Sequence, residues 1–398
     1  MNSPRRLLLL ILASVFIATP SGSRAEITGV VFDDKNSDGL RQPDEAGLPA
    51  VAVSNQIDVV QTDAQGAYRL GGPGTGVVFV SLPRGRVAVS AFWRAAPMDN
   101  ATDVHFPLTA AADSDDFTFL HASDTHLSEQ SLPRTRLLLS VIEMRRPDLT
   151  LVSGDLIRDA LRVNEAEATG LYEMYVKAMA ASAGPVWSVP GNHEIFAIER
   201  HHSLVSARHP LFGKAMYRKY LGPNYYSFNR GRIHFIALDT VDIEDLWYYG
   251  HLDKAQLDWL EQDLKVVPKG ATVVTFNHIP FFSAGLSVAG YTDAGVAPTL
   301  IRAGDKTSFR HVVSNTADLL ARLKDHRYAL SLSGHNHAFE RLSLSPDPQA
   351  TRFHLAAAVV GPTTGLAPSP SGVTLYRVRG DAIDDGEFIP LDKPAARK

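Results

Sequence analysis

The chain predicts an α/β protein with two bodies, a small all-β sandwich followed by a larger layered α/β domain. Three observations carry that reading. Short alternating stretches punctuated by Gly, Pro and Asp fill residues 26–108. From Phe117 onward, apolar runs of strand length alternate with stretches of helical periodicity. The length, 398 residues, exceeds one average core and suits a large domain joined to a smaller one. The predicted organisation is a leader over 1–25, a β-domain over 26–113, an α/β domain over 114–345, and closing strands with a tail over 346–398.

The leader reads as a secretory signal peptide. Arg5 and Arg6 form a basic start, Leu7 to Ala18 an apolar run, and Ser23-Arg24-Ala25 a small-x-small cleavage site before Glu26. The apolar run falls short of the roughly 20 residues that span a bilayer, so no transmembrane anchor is expected after cleavage. Export to a periplasmic or extracellular location is the expectation, and the paired arginines also admit a twin-arginine route. With 45% apolar and 21% charged residues the chain is an ordinary globular one. Its net charge of −4, with no basic block, gives no evident nucleic-acid-binding surface. The chain contains no cysteine, which excludes disulfides, thiolate metal sites and cysteine nucleophiles.

In the β-domain, strands are predicted at Ile27–Phe32, Ala50–Ser54, Asp58–Thr62, Ala67–Leu70, Gly76–Leu82 and Arg86–Phe92, with a linker from Thr109 to Asp116. In the α/β domain, strands are predicted at Phe117–Ala122, Leu149–Ser153, Val186–Val189, Ile233–Leu238, Thr272–Phe276 and Ala329–Ser333. Helices are predicted at Leu132–Arg145, Arg162–Ala181, Asp253–Val266 and Thr316–His326. Leu257, Leu260 and Leu264 share one face of the third helix, with Asp253 as its N-cap. Phe353–Val360 and Val373–Val378 read as closing strands of the same body.

Five fragments follow these strands: Asp124-Thr-His126, Gly154-Asp155, Gly191-Asn192-His193-Glu194, Asn277-His278 and Gly334-His335-Asn336-His337. Each offers only oxygen or imidazole ligands. In open α/β sheets, sites form at the carboxyl ends of strands, so topology places Asp124, His126, Asp155, Asn192, His278, His335 and His337 on one edge. That set supplies private ligands for two divalent cations and one carboxylate to share. Any one histidine alone reads as an ordinary polar residue, and His121 and His234, inside strands, are predicted to be satisfied core groups.

The ordered set of fragments resembles the calcineurin-like metallophosphoesterase superfamily over about residues 117–340. The likeness includes the stretch from Tyr225 to Asp239 and Gln256-Leu-Asp-Trp-Leu260. The resemblance implies an α/β/β/α sandwich and a binuclear site. It makes Asp124, His126, Asp155 and His337 ligands of the first metal, with Asp155 bridging and Asn192, His278 and His335 completing the second. It gives His193 the role of general acid, contacting phosphate without binding metal. The implied reaction is hydrolysis of a phosphate mono- or diester by direct attack of a hydroxide shared by the metals. Purple acid phosphatases resemble the pattern but carry a tyrosine where this chain has Arg158, and lack a counterpart of His126. A ferric-tyrosinate centre is thereby disfavoured, and Mn, Zn or Fe(II) stay open.

A second metal signature lies in the β-domain. Asp34 to Glu45 matches D-x-[DN]-x-[DN]-G-x5-E. Asp34, Asn36, Asp38 and Glu45 would give side-chain oxygens to a structural calcium and Leu40 its carbonyl. The loop and the Thr62–Tyr68 stretch resemble prealbumin-like repeats of bacterial surface proteins. Two insertions, Ile195–Pro223 and Phe281–Val313, follow ligand loops and are expected to overhang the site. Arg158, His201, His202 and Arg208 are candidate substrate contacts, and the Gly-rich second insertion, with Tyr291, Arg302, Lys306 and Arg310, is a candidate mobile lid. The competing reading is a non-catalytic cell-surface binding protein on the same scaffold. Oligomeric state is not encoded in any of these features.

Overall fold

The structure is a computed structural model that describes residues 26–96, 102–294, 298–347, 349–363 and 368–391. The predicted leader, residues 1–25, lies outside the described residues. Residues 27–110 build two facing sheets. One runs in the order Ala67–Leu70, Ile27–Asp33, Phe106–Ala110, Arg86–Ala88, with Thr102–Asp103 also on Ile27–Asp33. The other runs Val59–Gln61, Ala52–Ser54, Val77–Val80, Trp93–Ala95. Alternation drives the pairing of faces: Val31, Val53, Leu70, Val78, Val80, Phe106 and Leu108 are buried in one common core.

Two expectations change here. Of the predicted strand Arg86–Phe92 only Arg86–Ala88 is strand, paired with Phe106–Ala110; the chain then bends, and a separate strand, Trp93–Ala95, pairs with Val77–Val80 in the other sheet. The chain crosses between sheets in the middle of an apolar run, which alternation alone does not reveal. The predicted linker begins inside a strand, because Thr109 and Ala110 still pair with Val87 and Arg86.

The larger body stacks two six-stranded sheets. The first runs Val186–Val189, Leu149–Ser153, Asp116–Ala122, Gly372–Arg379, Ala382–Ile383, with Glu387–Pro390 also on Gly372–Arg379. The second runs Tyr226–Arg230, Ile233–Leu238, Thr272–Asn277, Arg327–Ser333, Arg352–Leu355, Glu340–Ser343. Phe119 links them, its ring 5.7 Å from Phe235 and 4.8 Å from Tyr376. Helices Leu132–Arg145 and Glu165–Ala180 bury Leu138, Ile142, Leu171 and Tyr172 with Leu120 and Val152 of the first sheet. Helices Lys254–Lys265 and Thr316–Leu323 bury Leu257, Leu260, Leu264 and Leu319 with Ile236 and Leu330 of the second. The result is the α/β/β/α layering. Helix starts follow their caps: Asp253 accepts from Gln256 N–H, and Asn164 accepts from Glu167 N–H, so that helix begins at Glu165 rather than at Arg162.

The closing strands divide between the sheets. Arg352–Leu355 joins the second, and Gly372–Arg379 runs antiparallel to Asp116–Ala122 in the first. The predicted strand Phe353–Val360 stops at Leu355 because the chain then turns away, and Val359 and Val360 donate to the carbonyls of Ser123 and Asp124. The β-domain docks on the second sheet and its helix. Phe79 packs on Tyr226 and Trp259, Trp259 Nε1 donates to Ser54 Oγ at 3.0 Å, and Gln56 Nε2 donates to the Tyr225 carbonyl at 2.8 Å. Among the described residues, no helix is long and apolar enough to cross a membrane.

Candidate metal centre

Each chemical side chain stands just past a strand. Asp124 and His126 follow Asp116–Ala122, Asp155 follows Leu149–Ser153, and Asn192 and His193 follow Val186–Val189. His278 follows Thr272–Asn277, while His335 and His337 follow Arg327–Ser333. Three of these strands are parallel neighbours in the first sheet and two are parallel neighbours in the second. The site is therefore assembled across two stacked sheets rather than along the single edge expected from one open sheet.

The loops are tied to each other by backbone bonds. Asp124 N–H donates to the Gly154 carbonyl, His126 N–H to that of Asp155, and Gly334 N–H to that of His278. Glu194 is fully buried and clamps the Asp155 loop, accepting from Leu156, Ile157 and Gly191 N–H at 2.8, 3.0 and 2.6 Å. Burial and the Asp155 charge push its carboxyl up to about 8, against those donors. Gly191 leaves room for this geometry, since a Cβ there would meet Asp155 Oδ1 at 2.2 Å.

Two groups of ligand-type atoms result, Asp124, His126, Asp155 and His337 in one and Asp155, His278 and His335 in the other, and each could hold a metal ion. In the first, His126 Nε2 lies 3.0 Å from His337 Nε2 and 3.6 Å from Asp155 Oδ2, and His337 Nε2 lies 3.2 Å from Asp124 Oδ1. In the second, His278 Nε2 lies 3.1 Å from Asp155 Oδ1, 3.1 Å from His335 Nδ1 and 3.2 Å from Asn192 Oδ1. His278 Nδ1 donates to the Ser153 carbonyl at 2.8 Å, which leaves Nε2 as the nitrogen facing inward. Asp124 Oδ1 is buried and accepts no well-aligned hydrogen bond, with the His337 nitrogen facing it at 3.2 Å, as an oxygen kept for a cation beside a second ligand would be.

The electrostatics fit such a cation. Burial alone would raise Asp155, yet His278, His193 and His126 around it hold the carboxyl well below its usual value. Burial works against the charge on His278 as well, but Asp155 and Asp124 bring it up to about 9. Burial and the neighbouring His278 and His311 hold His335 well below the ordinary histidine value. Carboxylates and imidazoles so close together compensate one another with protons that a divalent ion would displace.

His193 stands beside these groups rather than in them. Its Nε2 is 3.9 Å from Asp155 Oδ2, its Nδ1 is 3.9 Å from Asp159 Oδ1, and its ring lies 4.6 Å from that of His126. Arg158 is half-exposed and donates to Glu167 Oε1 at 2.8 Å, so its guanidinium already has a partner on helix Glu165–Ala180. His201, His202 and Arg208 are exposed in the first insertion. Glu199, His201 and His202 form a third ligand-type grouping, but both oxygens of Glu199 are taken by Arg162 at 2.9 and 2.6 Å. His121 and His234 are buried and bonded as expected, to Ser153 Oγ at 2.8 Å and to Asp263 Oδ2 at 2.9 Å.

Two neighbours of the site were not legible in the motifs. Asp159 stands next to Arg158, in the same loop as Asp155, and that adjacency was the available signal. His311 lies in the second insertion, and its Nδ1 is 2.6 Å from His335 Nε2. The strand before it, Lys306–Phe309, is not marked by the sequence pattern and no ligand motif accompanies it, so the local sequence gave it no mark.

Comparison with known proteins bears on this geometry. The family model described as calcineurin-like phosphoesterase matches residues 117–339. The 3',5'-cyclic-nucleotide phosphodiesterase alr5338 of Nostoc sp. (strain PCC 7120) is 30% identical over 157 residues, 38% of this chain and 50% of that protein. The chain thus matches about half the length of that relative. Among solved structures, a dimetal phosphatase from Danio rerio has a TM-score of 0.41 at 15% identity, over 69% of this chain and 99% of that one. The purple acid phosphatase PPD1 from yellow lupin seeds has a TM-score of 0.43 at 13% identity, over 88% and 68%. GAP50 of Plasmodium has 0.46 at 16%, over 70% and 86%.

Proposed function

Because the chain belongs to the calcineurin-like phosphoesterase family, we propose that it hydrolyses a phosphate ester with two divalent ions held by the residues gathered above. One observation carries this reading: the two ligand groups share Asp155, which turns Oδ2 toward His126 and Oδ1 toward His278. In this assignment Asp124, His126, Asp155 and His337 hold one ion, and Asp155, Asn192, His278 and His335 hold the other. The buried Asp124 Oδ1, which accepts no well-aligned hydrogen bond and faces His337, and the Gly191 cradle around Asp155 support the fit. When bound, such a pair of ions lowers the pKa of a shared water to roughly 7 and offsets charge on phosphoryl oxygens. All-N/O ligands suit Mn, Zn or Fe(II).

The chain's own groups divide the remaining work. Asp155 fixes the spacing of the two ligand sets. His193, beside them and not among them, is assigned the proton transfer to the leaving oxygen from Nε2, with Nδ1 turned toward Asp159. The cyclic-nucleotide relative puts a cyclic phosphodiester first among substrates to try, followed by aryl mono- and diesters. Metal analysis coupled to that panel tests the reading. Asp155→Asn is expected to abolish turnover and release metal. His193→Ala is expected to slow turnover by about 10²–10⁴-fold with metal content kept, the range typical of a lost general acid. Absence of turnover with every divalent metal would favour the non-catalytic surface-binding alternative.

A structural calcium in the β-domain is a separate proposal. Asp34 is fully buried, its Oδ2 accepts from Gly39 N–H at 2.8 Å, and its Oδ1 has no hydrogen-bond partner. Glu45 closes the loop from the other side, accepting from Lys35 and Gln42 N–H at 2.9 and 3.0 Å. Asp34, Asn36, Asp38, Glu45 and the Leu40 carbonyl would supply the oxygens. A calcium-dependent rise in melting temperature tests it.

A further inference from the structure

We propose that His311 is a positioning residue that holds His335 in the tautomer and orientation needed at the second metal position. The proposal rests on the dinuclear reading above. His311 Nδ1 and His335 Nε2 are 2.6 Å apart, and the two rings stack with centroids 4.9 Å apart at 26°. The other nitrogen of His335, Nδ1, faces His278 Nε2 at 3.1 Å, inside the second ligand group. His335 therefore has one nitrogen for the centre and one for His311.

The proton count follows from that arrangement. A hydrogen bond between two ring nitrogens needs one proton between them. If His335 Nδ1 keeps its lone pair for a cation, the proton sits on His335 Nε2 and His311 Nδ1 accepts it. Ligating histidines commonly give this second N–H to a carboxylate or carbonyl, which fixes the ring and raises its basicity. An imidazole acceptor fixes the ring equally well without bringing a negative charge to the site.

His311 can do this because its segment is fastened on both sides. Upstream, Arg310 N–H donates to the Thr299 carbonyl at 2.9 Å, and its guanidinium lies over the rings of Tyr248 at 4.3 Å and Trp247 at 5.0 Å. Downstream, Val313 N–H donates to the Pro280 carbonyl at 2.9 Å and Ser314 N–H to that of Gly250 at 2.8 Å. Tyr248 itself abuts His335, ring to ring at 5.8 Å. This end of the second insertion is a wall of the site.

Equilibrium dialysis of the full chain against Mn(II), with metal counted per protein, tests the role. Wild type is expected to bind two ions. His311→Ala is expected to keep the first and bind the second about 10–100-fold more weakly, the usual effect of losing a partner of a ligating histidine. His311→Asn, whose amide oxygen can replace Nδ1 as acceptor, is expected to restore most of that affinity. Two ions bound by a folded His311→Ala with wild-type affinity would overturn the proposal. So would a folded His311→Asn as weak as His311→Ala, which keeps the test decisive if the alanine variant does not fold. Wild type that binds fewer than two ions would instead overturn the dinuclear reading, and the role of His311 with it.

Discussion

Asp124, His126, Asp155, His335 and His337 all have left-handed backbones, with φ of 54°, 38°, 49°, 72° and 50°. Non-glycine residues rarely adopt that region, and each instance costs about 1–3 kcal/mol unless the surroundings over-determine it. Here the surroundings do, through the inter-loop backbone bonds and the Glu194 clamp. The strain turns each side chain back across its strand end, toward the shared space. Asp34 tells a related story in the β-domain, where a buried oxygen lacks a donor. If that oxygen is kept for calcium, adding calcium to the full chain should raise its melting temperature by several degrees, and Asp34→Asn should lose that rise. An equal rise in both proteins would remove the calcium assignment.

Helices and strands set where those residues can be. The carboxyl ends of five strands supply the site, and the helices on the outer faces hold the sheets by one apolar stripe each. Helix Lys254–Lys265 is the clearest case, since its stripe and its Asp253 cap are both legible in the sequence. Asp253→Ala should destabilise the protein by about 0.5–2 kcal/mol in urea unfolding, the usual loss for an N-cap. Unchanged stability would show that the cap contributes nothing beyond solvent. The insertions were legible as insertions but not as structures. Helix Ala284–Ala289 and the hairpin of Leu300–Ala303 with Lys306–Phe309 occupy the second. Its ends are anchored by Glu340, which accepts from Ala284 and Gly285 N–H, and by the bonds on either side of His311.

For the molecule as a whole, one continuous hydrophobic core runs from the β-domain through the second sheet. The β-domain is thereby part of the body that holds the ligand loops. The C-terminal strands close the first sheet in a similar way. Glu387 on the strand Glu387–Pro390 bonds Arg145 of helix Leu132–Arg145 at 2.8 and 2.7 Å and Arg377 at 2.6 Å. These guanidiniums pull its carboxyl down to about 2 from an ordinary 4.5. A carboxyl depressed in the folded state adds stability above its unfolded pKa and loses it as pH falls toward the folded one. Denaturant unfolding of wild type and Glu387→Gln should therefore show a wild-type advantage at neutral pH that shrinks between about pH 4.5 and 2. Glu387 is 41% exposed, so solvent screening keeps the effect well below what the shift alone implies. Parallel stability curves would rule out the contribution.

The sequence by itself determined the ligand types, their order along the chain and the strand ends that carry them, because period-2 apolar runs and short polar fragments are local signals. It also determined the helix faces and the Asp253 cap for the same reason. Which sheet each strand joins was decided by tertiary structure, since pairing depends on distant partners. That is why the predicted Arg86–Phe92 ends at Ala88, why Phe353–Val360 ends at Leu355, and why the site spans two stacked edges. Arg158 and His311 mark the same limit at the site. One is drawn away by Glu167, and the other is brought to His335 by a long insertion, through contacts that no local spacing records.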